Sequence, residues 1–310
     1  MDFKKKFNIG LTLETNLSEF RAFIEEYGEY IHSFYFSPPL GSLYHTRSKV
    51  ALEFLIPGKK KLFWQMLEII SSAGIELELL FNTLRLNEEL IHNAKKCLDE
   101  RGIEVNSVCF LRDYYEGVRE YFPDKKYIWS FNNGFRSQRE IDEVIDGFKA
   151  DAFVLGSLFI RNNKFFEHLA SRSCEPYLLL NNACSFNCDT CNNTQSICER
   201  AFIKNLEGHS VEYLYALQSI FPEELSLGII DTTNIGCFKI SNRSSNLKFI
   251  RGAMDSYITG RVREYVLRDK RNYAYWGRAG YFWKYFSKMD IDKIYEYKSE
   301  IFHKTLGGGE

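Results

Sequence analysis

The sequence predicts a TIM-type (β/α)8 barrel with a cysteine-rich loop after its seventh strand. Two observations carry this prediction, and chain length agrees with it. Apolar runs rich in β-formers alternate with amphipathic stretches of helical period, and eight such pairs can be counted before residue 260. Strands that alternate with helices of this length pair in parallel, and eight of them close into a ring. A chain of 310 residues is long for one ordinary domain but normal for a barrel. The competing arrangement is an open doubly wound sheet, since one strand more or fewer leaves the ring open. The reading divides the chain into a barrel over 1–260, carrying the cysteine loop at 184–198, and an aromatic helical extension over 261–310 packed on the barrel.

Taken in order, Phe7–Leu13 reads as the first strand. Asn16 or Ser18 caps a helix to about Tyr30, with Phe20, Phe23, Ile24 and Tyr27 on one face. His32–Phe36 is the second strand, ended by Pro38-Pro39, and an irregular segment reaches Gly58. Lys60–Ser72 is a helix that turns Leu62, Phe63, Met66, Leu67 and Ile70 inward. Ile75–Phe81 is the third strand, with Glu76 and Glu78 expected to alternate outward. A helix over Asn87–Arg101 ends at Gly102, a C-cap residue. Strands follow at Val105–Leu111, Tyr127–Phe131, Ala152–Leu155, Tyr177–Leu180 and Gly236–Ile240. Helices follow at Tyr114–Tyr121, Gln138–Phe148, Lys164–Ser171, Val211–Phe221 and Asn246–Thr259.

Composition narrows the class of protein. Hydrophobic residues make up 45% of the chain, ample for a large core, and only 6 prolines argue against long disordered linkers. A net charge of −1 makes no global electrostatic case for nucleic-acid or membrane binding. No window approaches the ~18 uninterrupted apolar residues of a membrane span, and Met1–Lys6 does not open a signal peptide. Eight cysteines without an export signal predict a reducing cytoplasm, where clustered thiols bind metal more often than they form disulfides.

Four of those eight cysteines fall between 184 and 198, as Cys184-x3-Cys188-x2-Cys191 with Cys198 beyond. Cysteines used as small core residues scatter along a chain, so packing does not account for this density. Asn187, Asp189, Asn192 and Asn193 supply the turn-tolerant positions that a wrap around one centre needs. An iron–sulfur cluster is the first chemical reading, a structural zinc the second, and thiols without metal the third. Zinc usually takes two C-x2-C knuckles or a cysteine–histidine pair of them. Only Cys188-x2-Cys191 is such a knuckle, and no histidine lies between Cys184 and Cys198. The fourth ligand is expected to be Cys198, with Cys237 or an open iron position as alternatives.

In a barrel, residues at the carboxyl ends of the strands form the site. Those positions are Glu14, Ser37, Asn82, Arg112, Asn132, Asn133, Arg161, Asn162, Asn181, Asn182 and Arg243. Any single asparagine there is explained by turn formation; the set, rich in amides and arginines, is more informative. Lys239 and Arg243 are placed to neutralise an acidic group or a reduced cluster, or simply to pair with carboxylates. His45, His92, His168 and His303 read as surface or structural groups, and His209, just after the cysteine loop, as a residue preceding a helix cap at Ser210. Cys97 and Cys174, in or next to helical segments, read as ordinary thiols, and Cys109 as a strand core residue. The rings of 273–286 read as a barrel cap or subunit contact rather than a base-stacking surface. No G-x-S-x-G elbow, H-E-x-x-H helix, Walker loop or G-x-G-x-x-G turn is present, so a standard hydrolytic triad has no support.

Two families share these features. The x3–x2 cysteine spacing is that of radical SAM enzymes, which carry it after their first strand. Here it follows the seventh, and roughly 120 residues remain beyond it. A cofactor role for S-adenosylmethionine is therefore disfavoured. The succession Leu80–Thr83, Ser130–Asn133, Phe159–Asn162, Leu179–Cys184 and Phe238–Arg243 resembles the collagenase-like peptidase family (family U thirty-two), in order and spacing from about 7 to 260. Members are TIM barrels with cysteines after a late strand. Several bind a four-iron cluster and take part in oxygen-independent hydroxylation of ubiquinone precursors or RNA bases. The resemblance implies Cys184, Cys188 and Cys191 as cluster ligands and Lys239 and Arg243 as the matching lysine–arginine segment. It departs at Ser241, where the family carries an acid, and in the hydroxylases' wider cysteine spacing.

The resulting expectation is a cytoplasmic iron–sulfur enzyme, not a peptidase, with a 4Fe-4S cluster held by Cys184, Cys188, Cys191 and Cys198. Arg161, Asn182, Lys239 and Arg243 would serve its reaction. Its partners would be a small-molecule or macromolecular substrate, a redox donor and further subunits, with no membrane. A radical SAM enzyme of unusual topology, or a partner subunit stapled by metal, are the rivals.

Overall fold

The computed structural model describes residues 3–37, 56–81, 88–135, 137–156, 159–180, 220, 222–240 and 246–260. The cysteine run, the expected helix over 211–221 and the 261–310 extension lie outside the described residues.

Eight parallel strands close into a barrel in strict sequence order. They are β1 Phe7–Gly10, β2 Ile31–Phe36, β3 Glu76–Phe81, β4 Ser107–Phe110, β5 Lys126–Trp129, β6 Ala152–Leu155, β7 Glu175–Leu179 and β8 Cys237–Ile240. The ring closes where Asn8 of β1 pairs with Lys239 of β8. The helices are α1 Leu17–Tyr27, α2 Pro57–Ser72, α3 Glu88–Asp99, α4 Tyr115–Tyr121, α5 Gln138–Gly147, α6 Asn163–Ser171, α7 Pro222–Ser226 and α8 Leu247–Thr259. The barrel, not the open sheet, is the arrangement adopted.

Local chemistry starts the helices where the sequence suggests. Asn16 caps α1 by accepting from the Glu19 amide at 2.9 Å, and Ser137, Asn162 and Asn246 do the same for α5, α6 and α8. α8 stops at Gly260, whose φ of 69° is left-handed and whose missing Cβ leaves room for the Ser226 side chain. The ring of helices closes as well: the Tyr27 hydroxyl of α1 donates to Asp255 of α8 at 2.9 Å.

Among the described residues two separate cores result. The larger lies between the strands and the helices and holds Phe20, Phe23, Phe34, Met66, Trp129 and Met254. The smaller fills the barrel interior with Tyr35, Leu80, Cys109, Ile128, Ala152, Val154, Tyr177, Leu179 and Cys237. Parallel barrel strands are thus buried on both faces, as their connections require. This overturns the outward placement of Glu78. Alternation along β3 is real, but the face opposite the helix-packed one is the barrel interior, not solvent, and Glu78 is fully buried there. Glu76, two residues toward the amino-terminal end, stays partly exposed.

Candidate functional site

The barrel interior has an apolar wall and a polar wall. Ile128, Val154 and Leu179 of β5, β6 and β7 form the first. Lys239, Asn8, Ser33 and Glu78, on the consecutive strands β8, β1, β2 and β3, form the second, and all four are buried. The Lys239 ammonium donates to Glu78 Oε1 at 2.5 Å, with side-chain exposures of 8% and 0%. Asn8 Nδ2 donates to the other carboxylate oxygen, Oε2, at 2.7 Å and to Ser33 Oγ at 2.5 Å. Lys239 Nζ also lies 4.1 Å from the centre of the Tyr35 ring, whose hydroxyl donates to the Ile240 carbonyl at 2.8 Å.

Burial by itself drives Lys239 toward the neutral amine. The Glu78 charge leads a set of opposing effects, with Cys109, Tyr35 and the Glu78 hydrogen bond, that together outweigh it, so its pKa lies above the ordinary lysine value. The lysine is held as a cation and its nearest counter-charge is fixed. Such a pair costs desolvation that apolar packing avoids, and barrel interiors are usually filled by branched apolar residues.

Arg161, expected in the reaction, sits in the loop between β6 and α6. It makes a bidentate pair with Glu224 of α7, Nε to Oε1 at 2.7 Å and Nη2 to Oε2 at 3.0 Å. Asn163 ties the same loop to the chain before β8, donating to Ile229 O at 3.2 Å and accepting from Asp231 N at 3.0 Å. Arg161 therefore braces two connections at the carboxyl side of the barrel.

Others of the strand-end set make turns. Asn133 accepts from the Arg112 amide at 2.6 Å and donates to Phe110 O and Ser130 O. Asn162 is a helix cap. Asn182 and Arg243, with Cys184, Cys188, Cys191 and Cys198, lie outside the described residues. Cys237 stands at the first position of β8, fully buried, with its thiol donating to Lys6 O at 3.2 Å. Burial pushes that thiol well above its usual pKa. Lying about 10 Å below the carboxyl end of its strand, it does not suit the role of fourth ligand. Among the described residues no group of three or more His, Cys, Asp or Glu is placed to hold a metal ion.

The opposite, amino-terminal end carries its own charged cluster. Lys126 meets Glu175 at 2.9 Å, and His32 Nε2 lies 3.5 Å from Glu76 and 3.4 Å from the Tyr177 hydroxyl. Gly236 packs closely beside it: a Cβ there would fall 2.3 Å from a Glu175 carboxylate oxygen and 2.8 Å from the Glu175 Cβ, so the glutamate would have to shift.

Sequence reasoning missed Glu78, Asn8, Ser33 and Tyr35. A signal was present: polar residues in the middle of strands that a parallel barrel buries on both faces.

By fold the chain belongs to the closed (β/α)8 barrels. No family model matches it and no curated protein matches it in sequence. Solved structures similar to it include the U32 peptidase Mk0906, at 11% identity over 78% of this chain and 95% of that one, with a TM-score of 0.43. An aldo-keto reductase, AKR11C1 from Bacillus halodurans, is 11% identical over 81% of this chain and 85% of that one, with a TM-score of 0.42. A protein from Mesorhizobium loti assigned as a dehydratase has a TM-score of 0.39 and 11% identity over 77% of this chain, which spans 55% of its length. These chemistries differ, and at such scores none guides function. Among the described residues no helix is long and apolar enough to cross a membrane.

Proposed function

We propose that this chain is an iron–sulfur-dependent (β/α)8-barrel enzyme related to the collagenase-like peptidase superfamily. It modifies a small molecule, nucleobase or peptide by a redox or oxygen-independent hydroxylation step. Cys184, Cys188 and Cys191, with Cys198, hold a 4Fe-4S cluster. The observation that supports this reading is where β7 ends. Leu180, the residue after β7, donates its amide to Lys239 O at 2.9 Å, so the chain leaves the barrel at its carboxyl end beside the polar wall. Cys184 follows four residues later, a tether of at most about 14 Å. When bound, the cluster would supply or accept electrons. Lys239 would offer a fixed cation to the substrate, with Arg243 and Asn182 contributing from the following loops, and Arg161 bracing the rim. A cytoplasmic electron donor and further subunits complete the proposal.

The test is anaerobic purification followed by metal analysis, sulfide counting and a visible absorption spectrum. About four iron and four sulfide per chain are expected, with Cys188→Ala losing most of the iron. Stoichiometric zinc without iron would leave a stapled loop instead. Reductive cleavage of S-adenosylmethionine to 5′-deoxyadenosine would assign the chain to the other chemistry that shares its cysteine spacing.

A further inference from the structure

The polar wall is more than an ion pair. Asn8 Oδ1 is fully buried and has no hydrogen-bond partner, although both Asn8 N–H groups are used, toward Ser33 and Glu78. Exchanging the amide's oxygen and nitrogen would aim the oxygen at a carboxylate, so the orphan is the oxygen. On the next strand, in direct register, Lys239 Nζ has three N–H donors and makes one hydrogen bond, to Glu78. An unmatched acceptor and unspent donors thus sit side by side on β1 and β8. A buried polar atom without a partner is costly, and such an atom in a native fold calls for a group that meets it.

We propose that Asn8 and Lys239 form a binding site in the barrel interior for the hydroxyl or carboxamide end of a small substrate. Lys239 is the donor, Asn8 Oδ1 the acceptor, and Glu78 the positioning residue that bridges them. The charge of the pair selects the ligand class. Glu78 neutralises Lys239, so a carboxylate entering here would bring an uncompensated buried charge, whereas a neutral group that both accepts and donates completes every bond. Access is from the lysine side, since Glu78 is sealed while Lys239 retains 8% exposure. The site deepens the role given to Lys239 above and rests on that reading of the barrel as an enzyme. It is independent of the cluster, so a chain that binds no iron would still show it.

The experiment is reductive methylation of the native protein with formaldehyde and cyanoborohydride, following Lys239 by peptide mass spectrometry. Glycolamide and glycolate serve as matched neutral and anionic probes. Lys239 is expected to be methylated more slowly than surface lysines, and at least threefold more slowly again with glycolamide, but not with glycolate. Asn8→Leu should abolish the protection while Lys239 still reacts. A Lys239 that never reacts in the folded protein, equal protection by glycolate, or no protection by either probe would each overturn the site. The wild-type arms decide the matter even where Asn8→Leu does not fold. Metal content, measured on the same sample, keeps failure of this site distinct from failure of the cluster.

Discussion

Among the described residues two buried ion pairs brace this barrel, and they differ in geometry. Arg161–Glu224 lies outside the strands, joins two connections, and is satisfied by two parallel hydrogen bonds. Lys239–Glu78 lies inside, joins β8 to β3 across β1 and β2, and uses a single hydrogen bond from an ammonium with donors to spare. Arginine does not lose its proton in proteins and its planar fork matches a carboxylate, so the outer pair is a brace. Lysine is a compact charge with three rotatable donors, so the inner pair keeps donors that its carboxylate does not use. Two pairs of the same formal charge thus separate, by geometry and residue type, into a fastener and a pair with donors to spare.

The largest expected effect separates single from double substitutions of the inner pair. Glu78→Leu or Lys239→Met alone leaves a buried charge without its partner and should cost about 3–5 kcal/mol in urea denaturation. Glu78→Leu with Lys239→Met should be neutral or stabilising by about 1–4 kcal/mol, because apolar packing avoids the desolvation. A double variant as unstable as the singles would make the inner pair a fastener too.

The outer pair should respond to shape more than to charge. Arg161→Lys keeps the cation but loses the fork, and about 1–2 kcal/mol of stability should go with it. The comparison weakens if this variant is indistinguishable from wild type in the same denaturation assay.

Protonation offers a third comparison, between the barrel interior and its amino-terminal end. Burial lowers the His32 pKa and outweighs the opposing charge of Glu76, while Lys126 adds to the lowering and Glu78 and Glu175 oppose it. The unfolded chain then binds the proton more readily than the folded one. The stabilising contribution of His32 is present above its unfolded pKa of about 6.5 and is lost as pH falls through that value. Melting temperatures between pH 7.5 and 5 should fall less steeply in His32→Gln. Thiols give a related readout: burial pushes Cys174 up to about 11 and Cys237 well above its usual value. Both should escape iodoacetamide at pH 8 in the folded protein and react in urea. The smallest effect is at a cap, where Asn246→Ala should cost about 1 kcal/mol through the lost bond to the Phe249 amide at 3.0 Å.

Most of the fold was legible because its signals are local. Apolar runs, caps such as Asn16 and Asn246, and the C-cap glycine at 102, with its φ of 63°, act within a few residues of themselves. Strand β6 runs over Ala152–Leu155 as expected, and the other expected strands shift only at their ends, whereas α7, Pro222–Ser226, was not expected. The site was less legible. The asparagines after strands drew attention as a set, yet Asn133 and Asn162 work as turn and cap. Glu78 was expected to face outward, because alternation shows that two faces exist without showing that both are buried.

By itself the sequence determined the order of strands and helices, the clustering of four thiols between 184 and 198, and the absence of a standard hydrolytic motif. Tertiary structure alone decided which charges meet. Lys239 and Glu78 are 161 residues apart and Arg161 and Glu224 are 63 apart. The physical reason is that periodicity records how a side chain points relative to its own backbone, whereas its partner depends on ring closure. Only closure turns the second face of each strand into an interior.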